Sequence, residues 1–368
     1  MYIECKLPEY PVMADLWDTV ANDKRPVMVY GMGNGADKLF ERLARYGVVP
    51  AEVFASDGFV RGHKFRGYEV KSLSAIKEKY DDFLILLSFA SNRTDVIDMS
   101  RGINSQYDML IPDMPVAGEE YFDKEFYNSN YEEILSAYNA LADGASKNAF
   151  AAMINYKLSG KAEYLFGASS EISEIYGLLP PDIRVAVDAG AYNGDTVREL
   201  LQFRPEVEKI YAFEPDLRNF KKLTKYKNES GIGSRLELFN AAVWNEDTRG
   251  IFVGSGNRNS SVSSTTSYKN KEESVELKTI DTAVKSRVDY IKYDVEGAEL
   301  QALMGSRETL ELYHPALLVS AYHRSEDIFS LVNYIIKEHP CYSVYIRRTL
   351  CFPAWEIAII ALEKGAAI

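Results

Sequence analysis

Apolar runs alternate with amphipathic ones in two stretches of the chain, and a helical stretch separates them. The first begins with PVMVYGMGNG at residues 26–35, where an apolar run meets a glycine turn. Leu39, Leu43 and Val48 then sit among charged residues, the pattern of an amphipathic helix. AEVFASD at 51–57 and FLILLSFAS at 83–91 read as strands, with a helical pattern, SLSAIKEKY, between them. Strands alternating with helices predict a parallel sheet with helices on its faces, here over residues 1–117. Residues 118–180 are helical in pattern and rich in tyrosine and phenylalanine. They read as a connector or cap whose aromatic residues pack.

The second αβ stretch covers residues 181–368. Strands are expected at 184–190, 209–216, 236–243, 288–299 and 315–323, and runs at 342–348 and 355–363 predict a closing antiparallel hairpin. The fold class is α/β: a C-terminal Rossmann-like doubly wound sheet, preceded by a smaller N-terminal Rossmann-like domain. A segment rich in serine, threonine and asparagine at 255–274 reads as a loop, either a solvated insertion or a lid.

Two glycine turns follow strands, and they differ in charge. GMGNGA places Gly31, Gly33 and Ala36 at the three positions of a dinucleotide turn, with Asp57 as a candidate ribose acid. A nucleotide-type ligand is admitted there; so is a turn that binds nothing or mediates assembly. In VDAGAYNGDT the glycines Gly190 and Gly194 are flanked by Asp188 and Asp195. These carboxylates repel a pyrophosphate but attract a cationic cofactor such as S-adenosylmethionine, which carries an ammonium and a sulfonium. Thr196 or Asp195 could cap the helix that follows. Glu214 ends the next strand, about twenty residues on, where an acid accepts ribose hydroxyls.

VDAGAYNGDT, FEPD, NAAV, IKYDVEGAE and SAYH, in this order over roughly half of the chain, resemble the FkbM-type family of class I S-adenosylmethionine-dependent methyltransferases. The resemblance implies O-methylation of a hydroxyl on a sugar or another small metabolite, as in polysaccharide or glycoconjugate synthesis. It also implies that Asp188, Gly190, Asn193 and Gly194 hold the methionine part of the cofactor, with Asp195 and Thr196 beside them. Glu214 would bind the ribose, and Asn240 and Ala241 would lie near the adenine. Many members carry a glutamate before the position of His323; here the run is VSAYH. His323 is the candidate general base, since an ordinary imidazole titrates near neutral pH. Asp294 and Glu296 are its companions or its replacements. No residue is assigned as a metal ligand; a divalent ion on Asp294, Glu296 and His323 is the alternative. Lys292 shares a strand face with Asp294 and reads as a structural ion pair. Arg347 and Arg348, with Glu356, read as a surface pair or as contacts for an anionic substrate.

A net charge of −12 disfavours nucleic acid as a partner. Cys5, Cys341 and Cys351 show no metal spacing and read as free thiols. No signal peptide is evident, and IAIIAL at 357–362 is too short to span a bilayer. A cytoplasmic protein is expected, without a membrane partner, and compatible with a homo-oligomer. Two further readings remain open: a nucleotide or nucleotide-sugar binding protein with an inactive methyltransferase domain, and a dehydrogenase using the first glycine turn.

Overall fold

Val27–Tyr30 and Leu84–Leu87 are buried at every position and pair in parallel near the middle of a six-stranded sheet. Burial on both faces explains why these strands read as unbroken apolar runs. The computed structural model describes residues 3–60, 62–253, 261–263 and 272–365 of the chain. The sheet runs Lys64–Phe65, Tyr68–Lys71, Glu52–Phe54, Val27–Tyr30, Leu84–Leu87, Met109–Leu110. From Val27–Tyr30 the helix Asn34–Arg45 leads to Glu52–Phe54 on one side, while Leu84–Leu87 lies on the other. Strand order therefore reverses between Val27–Tyr30 and Leu84–Leu87, the place where such sheets bind ligands. The Lys64–Phe65 and Tyr68–Lys71 hairpin turns through Arg66 and Gly67, both at positive φ. Its strands are too short to show as alternation in sequence.

The second sheet has seven strands: Tyr342–Arg348, Ile357–Glu363, Ala316–Ser320, Tyr290–Tyr293, Val185–Ala189, Lys209–Phe213, Leu236–Phe239. Five are mutually parallel, and the expected terminal hairpin closes one edge antiparallel. Order reverses here between Val185–Ala189 and Tyr290–Tyr293.

The expected strand at 236–243 is two strands. Asn240 turns its amide back to the carbonyls of Glu214 and Pro215, and Ala241–Val243 departs into a separate four-stranded sheet. That sheet includes Ser261–Ser263 and Glu272–Lys278, so part of the polar segment is strand. Antiparallel pairing with Thr248–Val253 supplies backbone bonds that a polar composition does not announce. Residues 254–260 and 264–271, and with them the lid reading, lie outside the described residues.

Five helices fill the middle: Lys124–Ser129, Tyr131–Ala140, Gly144–Ser159, Ala162–Gly167 and Ile172–Leu178. Gly144–Ser159 is buried around most of its circumference, with Phe150, Ile154 and Tyr156 fully enclosed. A single apolar core runs from Tyr30 through Phe150 to Tyr293 and Phe329. This junction also corrects the reading of the two arginines. Arg347 is buried, bonded to Asp143 and Glu174 at 2.7 Å each. Arg348 is wholly enclosed and donates to the carbonyls of Leu165 and Cys351. They join the edge strand Tyr342–Arg348 to the helices, and neither forms a surface pair. The three cysteines are free. Among the described residues, no helix is long and apolar enough to cross a membrane.

Candidate active site

The carboxyl edge of the seven-stranded sheet gathers the second turn's residues. Asp188 is buried, and its Oδ2 accepts the Thr196 hydroxyl at 2.5 Å. Lys292 Nζ on the neighbouring strand stands 3.7 Å from the other oxygen. Burial pushes the Asp188 carboxyl up, and Lys292 opposes it. Gly190 sits at φ +92°, and a Cβ there would overlap the Asp294 carbonyl oxygen. The turn must therefore be glycine for the two strand ends to approach. Gly194 is the N-cap of the helix Asp195–Phe203, whose first residue, Asp195, accepts the Thr196 amide. Asn193 is not on the cavity wall; its Oδ1 accepts from Arg198 at 3.0 Å.

Glu214 is held by backbone amides from two loops. Tyr192 N–H donates to one oxygen at 2.9 Å and Asp216 N–H to the other at 2.8 Å. Burial nonetheless pushes its carboxyl up to about 8. Asn240 supports the same corner through the Glu214 carbonyl, and Ala241 lines the wall.

Across from this corner lie Asp294 and His323. Asp294 Oδ2 is 3.2 Å from Lys292 Nζ, and Oδ1 accepts the Tyr322 hydroxyl at 3.2 Å. Burial would raise Asp294, but Lys292 and then His323 outweigh it and hold it at about 2. Glu296 follows at φ +56°, a conformation rare outside glycine and common at functional sites. His323 is enclosed by three acids: Glu299 Oε1 is 2.9 Å from Nδ1, while Asp294 Oδ1 and Glu296 Oε2 are 3.5 and 3.6 Å from Nε2. Burial pulls the imidazolium down, yet Glu299, Asp294 and Glu296 together hold it up at about 10. At neutral pH His323 is a cation, which the ordinary imidazole value does not suggest. Asp294, Glu299 and His323 could also gather three metal-ligand atoms, all within 4.8 Å of one another. This set has Glu299 in the place expected for Glu296.

Glu299 and Tyr322 carried no expected role, although both stand inside quoted motifs. Glu299 is 1% exposed and also accepts the Val295 amide, so it fixes both the loop and the imidazole. The signal was its spacing from Asp294, one turn past the strand end.

Gly190, Thr196, Glu214, Ala241, Asp294 and His323 border one cavity of about 1710 Å³. Asn34, Gly35 and Lys38, from the first glycine turn and its helix, line the same cavity. Asp57 opens an exposed 3₁₀ turn and is not on that wall.

A doubly wound seven-stranded sheet with an antiparallel end hairpin, acidic at its switch point, defines the class I methyltransferase fold. Residues 188–339 match the family described as methyltransferase FkbM domain. The crystal structure of methyltransferase FkbM from Methylobacillus flagellatus KT is similar over 95% of this chain and 94% of that chain, with 21% identity and a TM-score of 0.70. An rRNA methylase from Streptococcus thermophilus is similar over 52% of this chain and 92% of that chain, with 15% identity and a TM-score of 0.35. M. capricolum TrmK in complex with S-adenosyl-homocysteine is similar over 53% of this chain and 67% of that chain, with 10% identity and a TM-score of 0.31. No curated protein matches the chain. Over residues 188–339 the chain is similar to the FkbM methyltransferase domain, and the solved structures share its fold.

Proposed function

We propose that the protein is an S-adenosylmethionine-dependent O-methyltransferase acting on a hydroxyl of a sugar or another small metabolite. The observation that carries the cofactor is Glu214, a buried carboxylate fixed by two loop amides at the cavity corner. Such an acid suits two ribose hydroxyls. The residues present fit the rest of the group as well. Asp188 keeps one buried oxygen without a hydrogen bond, and Gly190 leaves the turn open. Asp188, Gly190, Asp195 and Thr196 would hold the methionine part, with Asn240 and Ala241 near the base. When bound, the cofactor supplies an electrophilic methyl group on a sulfonium. Asn193, turned to Arg198, would contribute through its backbone.

The chain's own part in the chemistry lies with Asp294, Glu296 and His323. The His323 imidazolium donates toward the acceptor oxygen and orients it, while Glu299 fixes the ring. Glu296, on the cavity wall, takes the hydroxyl proton as charge leaves the oxygen. Asp294 is held ionised by Lys292 and Tyr322 and keeps the imidazole charged.

The test is transfer of a labelled methyl group to hydroxylated acceptors from an extract of the source cell, with calorimetry of the cofactor alongside. Absence of cofactor binding would sink the reading. Binding without transfer to any acceptor would favour a binding protein with an inactive methyltransferase domain.

A further inference from the structure

The cavity over the methyltransferase sheet has a second wall, and that wall belongs to the other sheet. Pockets of roughly 300–1,000 Å³ hold a single small ligand; the cavity here measures about 1710 Å³. Both places where strand order reverses open into it. Ser88 and Phe89, just past Leu84–Leu87, line one side, while Gly190 and Asp294 line the other. Two Rossmann-like crevices thus share one volume.

The two walls carry opposite charge. The methyltransferase side presents Asp195, Glu199, Asp216, Asp294, Glu296 and Glu356 against Arg218, Lys222, Lys292 and His323, and stays acidic on balance. The first-sheet side presents Lys38, Arg93 and Arg101 against a single acid, Asp98. Arg93 and Arg101 have exposed carboxylate partners, Asp95 and Asp98. Lys38 differs: its ammonium donates to the Pro115 carbonyl at 2.6 Å, and among the described residues it forms no ion pair. Burial pulls its pKa down, the mark of a cation short of a counter-charge. The helices Asn34–Arg45 and Thr94–Asn104 both begin at this wall without a side-chain cap, adding free amides to the same side.

We infer that the first-sheet wall, centred on Lys38, binds the phosphate end of the methyl acceptor, whose hydroxyl end reaches Asp294, Glu296 and His323 across the same cavity. The acceptor class is a phosphate ester of a polyhydroxylated compound. The charge division gives each end one orientation: a phosphate is repelled by the acidic floor and drawn to Lys38. This rests on the methyl-transfer reading of the opposite wall, but the two are separable by experiment.

The experiment is calorimetry of the full chain with inorganic pyrophosphate, and in parallel with S-adenosylhomocysteine. Pyrophosphate is expected to bind. Lys38→Gln and Arg101→Gln should each weaken it about 10-fold, the effect of losing one charged hydrogen bond. Neither should change S-adenosylhomocysteine affinity, while Glu214→Gln should do the reverse. Arg101 is exposed, so its variant remains informative if Lys38→Gln folds poorly. The inference is overturned if pyrophosphate fails to bind at millimolar concentration, if neither variant weakens it, or if it competes with S-adenosylhomocysteine. Loss of S-adenosylhomocysteine binding alone overturns the cofactor assignment and leaves the phosphate subsite standing.

Discussion

Asp188 and Asp294, on adjacent parallel strands, share one ammonium: Lys292 Nζ stands 3.7 Å from the first and 3.2 Å from the second. Lys292 is 9% exposed, and the two acids raise its pKa against the pull of burial. Replacing it leaves Asp188 without its ammonium and Asp294 with His323 alone. Lys292→Met should therefore destabilise the protein by about 3–5 kcal/mol at pH 7. Part of that loss should return on acidification, as Asp188 protonates. Chemical denaturation at pH 7 and pH 5 reads both effects; equal destabilisation at the two pH values would refute the shared-cation account.

His323 gives a pH dependence of definite sign. Its folded pKa, about 10, lies above the unfolded value near 6.5. The stabilisation is thus complete below about pH 6.5 and lost as pH rises through about 10. Imidazole NMR should show a midpoint near 10, moved down by Glu299→Gln. A midpoint near 6.5 in the intact protein would contradict the three-acid cage.

Glu214 titrates at about 8 in the folded protein, so its carboxylate is completed only as pH rises. An ionised acid accepts ribose hydroxyls better than a protonated one. Affinity for S-adenosylhomocysteine should increase between pH 6 and pH 9. Glu214→Gln should weaken binding roughly 10–100-fold and flatten that slope. Calorimetry across the pH range checks both; a slope that survives Glu214→Gln would assign the titration elsewhere.

Gly190→Ala meets two obstacles, a positive φ and the Asp294 carbonyl. The backbone term alone costs roughly 1–3 kcal/mol, and the overlap adds to it. Gly177→Ala is the contrast, at an exposed helical glycine with open space around it. It should be stabilising by about 0.5–1 kcal/mol. Thermal melts of the pair should move in opposite directions.

Local pattern determined much of this protein. Unbroken apolar runs such as Leu84–Leu87 announced strands buried on both faces, because such strands have no polar side to present. Gly190, Asp188 and Glu214 announced a charged turn, because sharp backbone and acid at a strand end are properties of a few neighbouring residues. Only the tertiary structure decided the rest. Asn240 ended one strand and sent Ala241–Val243 to another sheet through bonds to carbonyls 25 and 26 residues away in sequence. Arg347 and Arg348 became buried links because helices from the middle of the chain covered the edge strand Tyr342–Arg348. His323 became a cation because Asp294, Glu296 and Glu299 converged on it from a different strand end, a distance-dependent sum that composition does not contain. The shared cavity between two switch points is of the same kind: each turn was legible alone, and their meeting was set by the packing of the helical middle against both sheets.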